Sequence, residues 1–167
     1  GFPTHPHSDM EIFTYVIEGQ LAHKDSMGNG STIEAGDLQY MSAGSGVHHS
    51  EFNPSSDNLT HLYQVRLQPN ENGGEPRYAE KKLGDQADPN ALTLLFSSDG
   101  HDGSTAIRQN AEIFFGRLDA GESLDIPASD DRPHVWLQVI SGEVKVAGET
   151  LGTADGVAIE NDPSTVP

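Results

Sequence analysis

The sequence predicts an all-β protein, a sandwich or barrel of short strands, and three observations carry that prediction. Segments of roughly four to eight residues either alternate apolar and polar side chains or run apolar throughout. Turns rich in Gly and Asn separate them at regular spacing. The second half also echoes the first, since Tyr15-Val16-Ile17-Glu18-Gly19 has a counterpart in Gln138-Val139-Ile140-Ser141-Gly142. A jelly-roll barrel accommodates this many strands with few free edges.

The chain opens with Thr4-His5-Pro6-His7-Ser8-Asp9-Met10-Glu11. Pro6 biases His5 away from the α region, so this stretch reads as extended. Side chains alternate faces along a strand, which places His5, His7 and Glu11 on one face. The apolar run Ile12-Phe13-Thr14-Tyr15-Val16-Ile17 begins a long strand over 12–24, with Gly19 marking a bend or bulge. Residues 25–30 are turn chemistry and 31–34 return as a short strand. Another turn at 34–37 leads to a strand at 38–41. The small residues at 42–46 form a loop that lets backbone pass close to a bound metal or ligand. His49 and Glu51, two apart, share a strand face; His48 points the other way, to the surface. Residues 60–67 alternate as a half-buried strand should.

Residues 68–91 are rich in Pro, Asn, Gly and charge, and read as a connection with one helical turn near 79–83. Strands follow at 92–96, 106–108, 113–118, 123–126, 135–140 and 144–147. Aligning Gly19 with Gly142 sets Ala128 against His5, Asp130 against His7 and His134 against Glu11, and further on Asp155 answers to Asp37. The second half therefore reads as a repeat that lacks the histidine pair and binds no metal. The domain organisation expected is 1–67 metal-binding, 68–91 connecting and 92–167 degenerate.

Two imidazoles on one strand face form a pair of nitrogen ligands for a divalent metal, and His49 with Glu51 supplies a second pair. A lone histidine is ordinarily structural. The joint pattern, HxH, then a Gly-rich turn, then HxE with a closing Asn53, is what points to a metal site. Three imidazoles and a carboxylate suit iron, nickel, cobalt, copper or manganese better than calcium or magnesium. His61 reads either as a hydrogen-bond partner of one of the metal-binding side chains or as a merely structural histidine.

The motif His5-x-His7-x3-Glu11 with Gly19, followed by Gly36 and His49-x3-Asn53, resembles the two motifs of the cupin superfamily. HPHSDMEIFTYVIEG, HKDSMGN, GDLQYMSAGSGVHHSE and EPRY are similar to bacterial members of the pirin family, several of which are quercetin 2,3-dioxygenases. The resemblance implies two tandem cupin barrels and a metal held by His5, His7, His49 and Glu51, with iron(II) favoured. The residue matching Glu11 binds metal in many cupins but not in pirins, so Glu11 is expected to support the ligands instead. Ser42 stands where many cupins carry proline, a feature pirins share. The activity implied is oxidative opening of a flavonol ring by dioxygen with release of carbon monoxide, Glu51 taking the proton of the 3-hydroxyl. The alternative is a non-enzymatic, iron-binding, redox-sensitive regulator acting through a protein partner, as the vertebrate family member resembles; a storage or structural cupin ranks below both.

The 167 residues carry 26 acidic against 9 basic side chains, a net charge of −17. That balance argues against contact with a nucleic-acid backbone and against adsorption to anionic membranes. The absence of cysteine excludes disulfides and thiolate ligands, and no leader pattern or long apolar run is visible, so a cytoplasmic location is expected. Gly1 stands close to His5, and 163–167 stop short of the closing strand that the family resemblance implies. Both barrels are therefore expected to be incomplete at the chain ends, either as a fragment of a longer protein or with a neighbouring chain covering the gap, and self-association or marginal stability is the expected consequence.

Overall fold

The computed structural model describes residues 1–83, 88–127 and 129–160, and every long element among them is a strand. In chain order these are β1 (Phe2–His7), β2 (Glu11–Glu18), β3 (Gln20–Asp25), β4 (Gly30–Glu34), β5 (Asp37–Ser42), β6 (Val47–Phe52), β7 (His61–Leu67) and β8 (Arg77–Lys82). They continue with β9 (Ala91–Ser97), β10 (Thr105–Ala106), β11 (Ile113–Arg117), β12 (His134–Gln138), β13 (Glu143–Val146), β14 (Glu149–Gly152) and β15 (Gly156–Glu160). A 3-10 turn spans His101–Gly103. No helix among the described residues is long and apolar enough to cross a membrane. By internal contacts the chain divides into two units, Gly1–Leu124 and Asp125–Pro167.

In the first unit two four-stranded sheets, ordered β1-β6-β3-β4 and β7-β2-β5-β8, pack face to face. Ile12, Met41, Ala43 and Val47 form one inner cluster, and Val16, Leu21 and Ile33 form another with Leu62 packed against them. The outer face of the second sheet is covered as well. Phe13, Leu38 and Tyr40 meet Leu83, Leu95, Phe96 and Ile107, the last three from the β10-β9-β11 region. Burial on both faces is why β2 reads as a nearly continuous apolar run.

Four sequence expectations change. The extended stretch through Glu11 breaks at Asp9, which has φ 50, so β1 and β2 belong to different sheets. The strand expected over 12–24 breaks at Gly19, which has φ 76, and again the chain switches sheets. A Cβ on Gly19 would lie 2.0 Å from the Leu59 carbonyl oxygen, so the corner needs glycine for space as well as for φ. The helical turn expected near 79–83 is instead the end of β8, which pairs antiparallel with β5 from Asp37↔Lys82 to Ser42↔Arg77. The free edge of β5 offers a ladder, and Tyr78 and Ala79 alternate onto opposite faces of it. Residues 123–126, expected as a strand, form none because they find no pairing partner.

The second unit repeats the wiring of the first. β3 pairs β4 while β2 pairs β5; likewise β13 pairs β14 while β12 pairs β15. Asp37 accepts from the Glu34 amide at 3.0 Å, and Asp155 accepts from the Gly152 amide at 2.8 Å. The Gly36 amide donates to the Val16 carbonyl, and the Ala154 amide donates to the Val139 carbonyl, each at 2.9 Å. Gly19 and Gly142 turn with φ 76 and 85. His134 and Asp130 are exposed here, whereas the repeat's counterpart to His5, Ala128, and the chain end at 163–167 lie outside the described residues.

Glu11 occupies the outer face of the second sheet, one residue out of phase with Ile12, away from the inner face. Its carboxylate accepts from the Tyr40 and Ser42 hydroxyls, both at 2.5 Å, and from the Arg108 amide at 3.4 Å. Arg108 in turn donates to Ser42 Oγ at 2.5 Å and to the Glu75 carbonyl at 2.7 Å. This buried network joins β2 and β5 to the segment after β10 and explains the serine at 42: proline there would remove the bridging hydroxyl. Replacing Glu11 by Ala strands these donors and should lower stability by about 3–5 kcal/mol while leaving metal content unchanged. Urea unfolding and elemental analysis of the purified variant check both halves of that expectation.

Candidate metal centre

β1 and β6 run antiparallel with His5 opposite His49 and His7 opposite Val47. Strand alternation puts His5 and His7 on one face, and the burial of β6 alternates so that Val47, His49 and Glu51 point inward while His48 is exposed. The consequence is convergence. His5 Nε2 lies 3.0 Å from His7 Nε2 and 3.1 Å from His49 Nε2. Two nitrogens bound side by side to one ion at about 2.1 Å would stand about 3.0 Å apart. A shared proton can bridge only one such nitrogen pair at a time, so the donor set fits a divalent transition ion better than mutual hydrogen bonding.

Glu51 is buried deeper. Its Oε1 accepts from Gln39 Nε2 at 2.8 Å and its Oε2 from Gln64 Nε2 at 3.1 Å. Both amides are oriented from behind: Tyr78 Oη donates to Gln39 Oε1 at 3.2 Å, and Arg66 Nε and Nη2 donate to Gln64 Oε1 at 3.2 and 2.9 Å. Donors on the amide oxygens leave only the NH₂ groups to face Glu51. His5, His7 and His49 form one cluster whose ligand atoms lie within 4.8 Å of one another; Glu51 belongs to a second, with His23 and His49. His49 is shared by the two.

His23 is the residue that sequence reasoning passed over. It is buried, stacks on Tyr78 with ring centroids 4.9 Å apart, and places Nδ1 4.0 Å from Glu51 Oε1. Its Nε2 bonds Asp25 Oδ2 at 3.1 Å. Burial alone would raise the Asp25 carboxyl, but hydrogen bonds from Asn29, His23 and Met27 outweigh it and hold the group below its ordinary value. An ionised Asp25 requires a proton on His23 Nε2, and among the described residues neither His23 Nδ1 nor His49 Nδ1 has a hydrogen-bond partner. The available signal was His23-Lys24-Asp25, whose period-two spacing matches that of the HxH and HxE pairs.

The remaining expectations fall elsewhere. Glu11 bonds Tyr40, Ser42 and Arg108 and reaches none of the histidines. His61 is exposed at the start of β7, opposite Glu18, and makes no hydrogen bond to the cluster.

Burial, followed by the charges of His5, His23, His7 and Arg66, pushes the His49 imidazole down to about 4. The same causes, burial first and then His5 and Arg66, lower His7. In the unfolded chain His49 titrates near its ordinary value of about 6.5. As pH falls below about 6.5 the unfolded state binds a proton that the fold refuses. The metal-free protein should therefore lose stability progressively as pH falls from about 6.5 to about 4, and replacing His49 by Gln should flatten that slope. Denaturation midpoints measured across this window, with chelator present, test it.

Comparison with known proteins bears on the same residues. A family profile described as Pirin matches residues 1–67, and one described as quercetinase C-terminal cupin domain matches residues 94–166. The protein named quercetin 2,3-dioxygenase from Escherichia coli strain K12 is 46% identical over 160 residues, covering 95% of this chain and 67% of that protein. A pirin-like protein of Caulobacter vibrioides is 38% identical over 164 residues, 97% of this chain and 69% of its own length. The crystal structure of the bacterial pirin YhhW from Escherichia coli in complex with nickel(II) superposes with a TM-score of 0.86 at 42% identity, over 97% of this chain and 68% of that one. With its all-β fold, its histidine cluster and these matches along both halves, the chain belongs to the pirin family of cupin proteins.

Proposed function

We propose that this chain is a metal-dependent dioxygenase of the quercetinase type, opening a flavonol ring with dioxygen and releasing carbon monoxide. The observation that carries the reading is the convergence of three imidazole Nε2 atoms beside a buried carboxylate held by two amides. The naming of relatives as quercetin 2,3-dioxygenases supports it. His5, His7, His49 and Glu51 would hold the ion, iron(II) by preference, with nickel, cobalt, copper and manganese admissible for the same donor set. When bound, the ion supplies Lewis acidity toward the substrate oxygens and redox chemistry toward dioxygen.

The protein's own contribution falls to Glu51 and its supports. A flavonol must give up its 3-hydroxyl proton to become electron-rich, and Glu51 is the carboxylate beside the histidines that can take it. Gln39 and Gln64 restrict its rotation from two sides, so that its oxygens stay where the hydroxyl arrives. His5 and His7 are partly exposed, which makes their side of the cluster the one a substrate reaches from solvent.

Two outcomes follow. Replacing His7 by Ala should strip most of the metal, read by elemental analysis; full occupancy in that variant would remove His7 from the site. Replacing Glu51 by Gln keeps size and an oxygen donor but removes basicity, so flavonol turnover should fall by about 10²–10⁴-fold at matched metal content. Oxygen consumption with detection of carbon monoxide measures it. A wild-type protein that consumes no oxygen with any flavonol would favour the regulator reading instead.

A further inference from the structure

Arg66 lies on the face of β7 that looks into the site. Leu62 packs into the inner core, Gln64 reaches Thr14 and Glu51, and Arg66 follows at the same period-two spacing and bonds Gln64. Its Nε and Nη2 both point at one oxygen, Gln64 Oε1, which leaves Nη1 and the second Nη2 hydrogen available. Among the described residues no carboxylate lies within ion-pair distance of this guanidinium. The side chain is exposed, and through Gln64 it stands one hydrogen bond removed from the Glu51 carboxylate. It is therefore a cation at the solvent end of the Gln64–Glu51 pair, with donors to spare and, among the described residues, no anion of the protein's own.

We propose that Arg66 anchors an ionised oxygen of the substrate, so that this site selects oxyanion-bearing aromatic or enolic compounds over their neutral analogues. The proposal rests on the quercetinase-type reading for the flavonol as substrate, but the anion preference belongs to Arg66. A planar guanidinium suits this role because its fixed N–H fork matches paired oxygens, such as the adjacent 3-oxide and 4-carbonyl of a flavonol or the carboxylate and ortho-oxygen of salicylate. Tethering by Gln64 preorganises it, so little side-chain freedom remains to be lost on binding.

The test is equilibrium binding by the full chain loaded with metal, under argon so that no turnover occurs, with quercetin and salicylate as probes. Arg66→Met keeps the apolar stem and removes the charge; it should weaken binding of both probes by about 10- to 100-fold. Arg66→Lys, which keeps the charge without the fork, should fall between. Sodium chloride should weaken binding to the wild type and have little effect on Arg66→Met, a signature that a structural role would not produce. Unchanged affinity of Arg66→Met for both probes, or no binding of either by the wild type, overturns the proposal. So does weaker binding that tracks loss of metal in elemental analysis. Arg66-dependent binding without oxygen uptake keeps the anchor and removes the dioxygenase reading; oxygen uptake with unchanged affinity in Arg66→Met does the reverse.

Discussion

The register of β1 against β6 is the constraint on which the site depends. With His5 opposite His49, three imidazoles from two strands converge at about the separation that one ion requires. A slip of one residue would send one strand's histidines to the other face and dissolve the cluster. The register is held from both sides. β3 pairs with β6 through Ala22↔Phe52 to Asp25↔His49, and the Ser26 amide donates to the His48 carbonyl at 2.9 Å. The Asp25 turn therefore sets β6 in place and at the same time orients His23.

The second sheet separates chemistry from structure by face. Its inner face offers polar side chains, Thr14, Gln39 and Gln64, whose bonds run to Glu51 or to one another. Its outer face is aromatic and carries the Glu11 network. The same kind of group does different work on each. Glu51 is held by amides beside three histidines, whereas Glu11 is fully engaged by two hydroxyls and a backbone amide, with an arginine bonded to one of those hydroxyls. The break at Asp9 turns Glu11 onto the face away from the histidines, where these donors take up its carboxylate, which accounts for Glu11 standing apart from the site in this chain.

The two halves show how a repeat can keep its wiring while its side chains change. The turn-closing aspartates and the strand-linking backbone bonds recur, because they depend on backbone geometry and one short side chain. Side chains facing the cavity are under no such demand. Ala154 holds φ 71 where the first half has Gly36 with φ 90, so even the turn conformation outlasts the glycine that makes it inexpensive.

The sequence by itself determined the all-β class, most strand positions, the internal echo, and the candidate set His5, His7, His49 and Glu51, of which the structure brings the three imidazoles into one cluster and Glu51 into a second that shares His49. Those features rest on period-two alternation and turn residues, which are local. Tertiary structure decided the rest. Whether 12–24 was one strand or two depended on the Leu59 carbonyl approaching Gly19. Whether 77–82 coiled or extended depended on the open edge of β5, and Glu11's face depended on the break at Asp9. Gln39 and Gln64 reach Glu51 only when the two sheets close over one another, and His23 reaches it only because β3 pairs with β6; these residues stand 12 to 28 positions apart in the chain, and alternation along one strand carries no information about what faces it or lies beside it.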